Sequence, residues 1–323
     1  MRAILLSCVF AAITLAHGQD AVSLLQSRNW TRNQKELVHD RAWYYPALIE
    51  ALSHPDEVVR SRAAITLRLL NDKASIPALQ QAFRSSKGPA RQEALWTILN
   101  LIRHTDFGMH GEPFGVEESS KAISDLGNDT VPYLVKWLRQ LHHDRDYKVK
   151  LPIFAALGNL KDSRSVDDLL HQTKNLWMWD LYYCFRALAQ FDDPRVPAVM
   201  VRDIYKGEGG AYADTVAYWF LRKMPEKAYP HLLEGVTKHH YEVGRWWCIV
   251  FLSRRNDART HPVVLKATSD QSAQVRRIAF SYFSAVRYPE AEKAIRRGQR
   301  DPDESVREEA RSAAEHNGIK ALL

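Results

Sequence analysis

The stretch Arg245–Arg255, R-W-W-C-I-V-F-L-S-R-R, places small Cys248 three residues after a basic one and large apolar Leu252 seven after it. At 100° per residue these two positions lie on one helical stripe, a turn apart. The same frame aligns on Arg60, Arg91, Lys150, Leu181, Asp214, Arg245, Arg276 and Arg307. Most steps between these anchors are 31 residues, one is 33, and the step from Arg91 to Lys150 is 59. The +3 column reads Ala63, Ala94, Ile153, Cys184, Ala217, Cys248, Ala279, Ala310. The +7 column reads Leu67, Ile98, Leu157, Leu188, Leu221, Leu252, Phe283, Ala314. A helix with that stripe buries one face.

A second helix precedes each of these. Pro46, Pro77, Pro132, Pro197, Pro230 and Pro262 fall 14 to 18 residues before the anchor of their repeat. Proline is tolerated in the first turn of a helix, where its missing N–H has no partner to lose. Each unit is then helix, turn, helix in about 31 residues. One such hairpin cannot bury its apolar face alone, so neighbours must stack.

The turns carry Asp-x-x-x-Arg or its Lys variant: Asp56 to Arg60, Asp146 to Lys150 and Asp303 to Arg307. With the period, these turns resemble HEAT repeats, in particular the short bacterial type also found in phycobilisome lyase subunits. The resemblance spans about residues 44–318. It implies an all-α fold, a right-handed α-solenoid (superhelix) of about eight HEAT-like helical hairpins. It also implies that Asp and Arg form a ladder tying adjacent repeats, interrupted where Leu181 and Asp214 replace the basic residue. Of activity it implies little, because repeat type alone is a weak warrant for function.

Outside the repeats, residues 1–18 read as a signal peptide. Met1-Arg2 is followed by an apolar run, Ala3 to Ala16, and by small residues at Ala16 and Gly18 suited to cleavage before Gln19. About 14 apolar residues are too few to span a bilayer, and no other segment is a membrane span. The chain is expected to be exported, to a periplasmic or extracellular location. Residues 19–43 are an N-terminal cap, a helix carrying Trp30 and Trp43, and residues 44–323 form the solenoid. The long step holds an insertion at about 103–128: a Gly-rich loop and then a short helix around Val116–Leu126.

Composition excludes some partners. Without the leader, 44 Lys and Arg stand against 38 Asp and Glu, an excess too small and too scattered for strong phosphate binding. Nucleic acid is therefore not the expected partner, although HEAT-like DNA glycosylases use a comparable face of Trp, Asp and Arg. Cys184 and Cys248 lie in one column two repeats apart, roughly 20 Å at typical helix-packing distances. A disulfide needs Cα atoms within about 7 Å, so both are expected to be free and buried.

If +3, +7 and +10 face the core, +1, +5 and +9 face the concave groove of a solenoid. Those columns supply the candidate binding residues Trp96, Asn100, Tyr182, Arg186, Trp219, Lys223, Trp246, Arg254 and Arg277. Trp, Tyr and Arg dominate binding hot spots, and with amides they suit a protein or peptide segment, or a glycan. The same rings could instead fill space between neighbouring helices; Tyr183 and Trp247, at +2, read that way. In the insertion, His104, Asp106, His110 and Glu112 are weak metal candidates with no known zinc spacing. His142-His143 and His239-His240 fall in turns, where solvent is their expected surrounding.

No nucleophile elbow, phosphate loop or His-Glu-x-x-His occurs. HEAT-like deoxyhypusine hydroxylases carry His-Glu pairs as iron ligands, and no His-Glu dipeptide is present. No catalytic residue and no cofactor is assigned. The expected function is an exported, non-catalytic HEAT-repeat scaffold that binds through its groove. The alternative is a lyase-like or metal-dependent enzyme sited at the groove and the 104–112 loop.

Overall fold

All sixteen +3 and +7 positions are at most 1% exposed in the computed structural model. It describes residues 20–101, 115–142, 146–176, 178–204, 217, 219–255 and 257–319. Every regular element among them is a helix. The fold is all-α, and it divides into two units, Met1–Asp168 and Leu169–Leu323.

The first unit opens with helices at 20–26 and Trp30–His39, then stacks hairpins on them. The cap is thus two helices rather than one, and exposed Trp43 already belongs to the first repeat helix, Arg41–Ala51. Its partner Glu57–Leu70 packs on Gly88–Leu101, itself paired with Ile76–Ser85. The short helix of the insertion is present as Val116–Ser124. It lies against both Gly88–Leu101 and Tyr147–Leu160 and so joins the inner layer. Ser119 and Ser120, fully buried there, return their hydroxyls to the carbonyls of Gly115 and Glu117. The preceding loop, with His104, Asp106, His110 and Glu112, lies outside the described residues, as do the leader and Asp214.

The second unit stacks Met178–Leu188, Arg195–Arg202, Pro225–Lys238 with Glu242–Ser253, His261–Ala267 with Ala273–Phe283, and Glu292–Gly298 with Glu304–His316. Pro77, Pro132 and Pro262 sit at the first or second helical position, as expected. Pro46 and Pro230 do not. Both lie inside helices, Arg41–Ala51 and Pro225–Lys238. In the latter, Pro225 takes the first-turn role and starts the helix earlier.

The ladder exists, but its carboxylate is not the one in the Asp-x-x-x-Arg motif. Asp56 and Asp303 instead cap their own helices, accepting from Val58 N (2.8 Å) and Ser305 N (2.9 Å). Asp146 accepts from His142 N at 2.9 Å. Among the described residues the tie between repeats forms at two arginines, each reaching an aspartate 25 residues on. Arg245 forks onto Asp270 (2.7 and 2.9 Å) and Arg276 onto Asp301 (2.8 and 2.9 Å). The free Nη1 of each arginine donates back into its own turn. Arg276 reaches Asp270 O (2.9 Å), and Arg307 reaches Asp301 O (2.8 Å). Each aspartate therefore joins two arginines, one through its carboxylate and one through its carbonyl. Buried Leu181 breaks the ladder at its repeat, and Arg91 pairs with exposed Asp129 instead.

Cys184 and Cys248 are free and fully buried. The Cys184 thiol donates to Leu169 O (3.3 Å). Cys248 packs so closely on Gly235 that a Cβ there would lie 2.6 Å from its Sγ. Burial pushes the Cys248 thiol up to about 12, where no thiolate forms at neutral pH. A chromogenic thiol reagent should count no reactive cysteine in the leaderless native chain and two in denaturant. One fast native thiol would contradict this packing.

Candidate functional site

In Met178–Leu188, Tyr182 and Arg186 stand one turn apart on a single face. In the next repeat, Trp219 and Lys223 hold the same relation. Between them lies a cleft of about 420 Å³ that gathers all four. Val196 and Pro197 of Arg195–Arg202 and the buried ring of Phe220 supply apolar walls. Pro225, Glu226 and Lys227 close one rim.

Trp219 is 59% exposed, the largest exposure of a big hydrophobic side chain among the described residues. Lys223 Nζ sits 5.5 Å from the Trp219 ring centroid and 5.6 Å from that of Phe220, within range of cation–π attraction. Phe220 packs on Tyr182 at 5.6 Å, and Tyr182 meets Trp179 edge-on at 5.7 Å. The carboxylates at the rim are engaged. Asp193 is forked by Arg195, which holds it below the usual carboxylate range, and Glu226 meets Arg255. Lys227 pairs with Asp192. Lys223 has no carboxylate partner among the described residues.

The other candidates lie elsewhere. Trp96, half-buried, meets Trp137 at 4.8 Å, and Asn100 donates to Trp96 O (2.7 Å); both belong to the first unit. Trp246 is half-buried and edge-on to Trp247 at 5.0 Å. Arg254 and Arg277 are exposed. Tyr183 is buried, and Trp247 packs on Phe251 at 6.2 Å. Column arithmetic missed the cleft floor and rim, because Phe220 is at +6 and Pro197 and Pro225 belong to other helices. The usable signal was the run Trp219-Phe220, an aromatic pair straddling the boundary between surface and core.

A second cleft of about 480 Å³ lies between Arg195–Arg202 and Pro225–Lys238. Its carboxylate Asp203 is covered and paired with Arg202 (2.8 Å). His239, expected in solvent, is 9% exposed and hydrogen-bonded through both ring nitrogens; His240 and His142 are exposed. Among the described residues no three His, Cys, Asp or Glu side chains converge to hold a metal ion. Among those residues, too, no helix is long and apolar enough to cross a membrane.

Residues 39–103, the first two hairpins, match the family model of HEAT repeats. No curated protein matches the chain. Among solved structures it is similar to an engineered protein, at 17% identity and a TM-score of 0.38 over 93% of this chain and 88% of that one. It is also similar to human deoxyhypusine hydroxylase in complex with glycerol, at 18% identity, a TM-score of 0.32, and coverage of 90% and 98%. A designed armadillo repeat protein matches at 16% identity and a TM-score of 0.27, covering 84% and 99%.

Proposed function

We propose that this chain is an exported, non-catalytic repeat scaffold that captures an extended protein segment in the cleft of Tyr182, Arg186, Trp219 and Lys223. The observation that carries this reading is Trp219. A tryptophan left 59% exposed, with a lysine over its ring and a 420 Å³ cleft beside it, matches no requirement of the stack itself. Half-exposed aromatics beside cations are typical binding anchors. The apolar walls of Val196, Pro197 and Phe220 suit side chains of a peptide better than the hydroxyl-rich faces of a glycan. Export rests on the leader at residues 1–18.

The test is a peptide-display selection against the purified leaderless chain, with recovered binders re-measured on Trp219→Ala. The substitution is expected to weaken them about 30-fold, the scale of a hot-spot residue worth about 2 kcal/mol. Far-ultraviolet circular dichroism should stay unchanged, because the ring is largely outside the core. Binders indifferent to Trp219→Ala, or loss of helicity in the variant, would refute the reading. So would capture of glycans alone.

A further inference from the structure

The +1, +5 and +9 positions of the first three repeats carry no charge at all. In repeats four to seven the same columns carry Arg186, Lys223, Arg254 and Arg277, one cation per repeat, and no acidic residue. An acid enters these columns only in the terminal repeat, as exposed Glu308 at +1. The described side chains agree with the columns. Lys223, Arg254 and Arg277 are exposed, and Arg186 is half-buried at the cleft. Lys223 and Arg277 form no ion pair among the described residues. The acids near the cleft, Asp193 and Glu226, sit on its rim and are held by Arg195 and Arg255.

Resting on the reading of the cleft as a peptide site, we infer that the second unit selects an acidic extended segment, with carboxylates about three residues apart opposite Arg186, Lys223 and Arg254. The stride follows from these dimensions. Packed helices stand about 8–10 Å apart. A change of column adds about 1.5 Å per residue along the helix axis: nothing from Lys223 to Arg254, both at +9, about 6 Å from Arg186 at +5 to Lys223, and about 12 Å from Arg254 to Arg277 at +1. An extended chain rises about 3.3 Å per residue, so about three residues separate the partners of Arg186, Lys223 and Arg254, and about four or five separate those of Arg254 and Arg277. Trp219 anchors an apolar side chain between the first two carboxylates, and the row of cations fixes register and raises the encounter rate. The uncharged columns of the first unit add no such selection.

Three fluorescein-labelled 12-residue peptides test this: one with four Glu at every third position, one of the same composition with the four Glu contiguous, and the spaced peptide with Gln for Glu. Each contains one Phe, and each is titrated against the leaderless chain and against Lys223→Glu/Arg277→Glu. Both substituted side chains are exposed, so the double variant should fold. The spaced acidic peptide is expected to bind at least tenfold tighter than the Gln peptide and about fivefold tighter than the contiguous one. That advantage should shrink with added salt and vanish in the double variant. Equal binding of spaced and contiguous peptides overturns the stride. Equal binding of the Gln peptide, still weakened by Trp219→Ala, overturns the acidic selection and leaves the peptide cleft standing. Binding of a sulfated oligosaccharide with no peptide bound overturns both.

Discussion

Arg245→Ala is expected to lower the stability of the second unit by about 3–5 kcal/mol, the cost of breaking a buried ion pair from one side. The guanidinium is 6% exposed and its partner Asp270 11% exposed. Two bonds join them, and Nη1 also satisfies the carbonyls of His239 (3.0 Å) and His240 (3.3 Å). Alanine removes all four. It leaves a poorly hydrated carboxylate held only by the Ser272 amide at 2.8 Å, and two turn carbonyls with fewer donors. Arg245→Ala with Asp270→Ala should be less damaging than the two single costs added, because the stranded charge is gone. The same logic applies one repeat later to Arg276 and Asp301. The two sites should couple, since Asp270 accepts from Arg245 through its carboxylate and from Arg276 through its carbonyl. Urea midpoints with their slopes measure this. A loss under 1 kcal/mol for Arg245→Ala would place the pair among exposed salt bridges of little value.

The ladder also marks the limit of what was legible in the sequence. Burial along a repeat array is periodic, so a column of small residues at Ala63, Cys184 and Ala310 predicts contact without knowledge of any distant partner. Those positions are 0% exposed. Exposure was legible in part for the same reason: +9 residues Lys223 and Arg254 face solvent, while Leu151 at +1 and Ala155 at +5 are buried. Pairings that cross between repeats were not. The motif suggested Asp303 for Arg307, but Asp303 satisfies the amides that open its own helix, and the tie uses Asp301 for Arg276. An N-cap needs an acceptor at that place whatever its neighbours do, and this local demand claimed the motif aspartate. The cleft was half legible. Tyr182, Arg186, Trp219 and Lys223 followed from the columns, while Val196, Pro197 and Phe220 depend on how a hairpin closes. Trp96 satisfies the same column rule as Trp219, yet it packs on Trp137. Spacing alone does not distinguish an anchor from a wedge.

Closure of one such hairpin gives the last prediction: Gly244→Ala should be destabilising by about 3 kcal/mol in this protein and stabilising in a His239→Ala background. A Cβ built at Gly244 would stand 2.1 Å from the His239 ring, far inside contact distance, so the ring must leave. Overpacking costs about 1–3 kcal/mol, and eviction adds the loss of two bonds. The Tyr241 amide donates to Nδ1 (3.2 Å), and Nε2 then donates to Arg202 O (3.2 Å). With His239 already alanine there is nothing to evict. Within the helix Glu242–Ser253, alanine then gains up to about 1 kcal/mol over glycine from helix propensity.

The pH profile supplies an independent check. Burial, with Arg245 nearby, holds the His239 imidazole below its ordinary value, so the unfolded chain takes up a proton more readily than the folded one. The contribution of His239 is therefore complete above about pH 6.5 and is lost as pH falls toward the lower folded value. In Gly244→Ala the displaced ring regains water, its NMR titration moves up toward the ordinary imidazole value, and that share of the pH dependence disappears. If Gly244→Ala destabilises equally in both backgrounds, the close approach of ring and helix is not what the glycine serves.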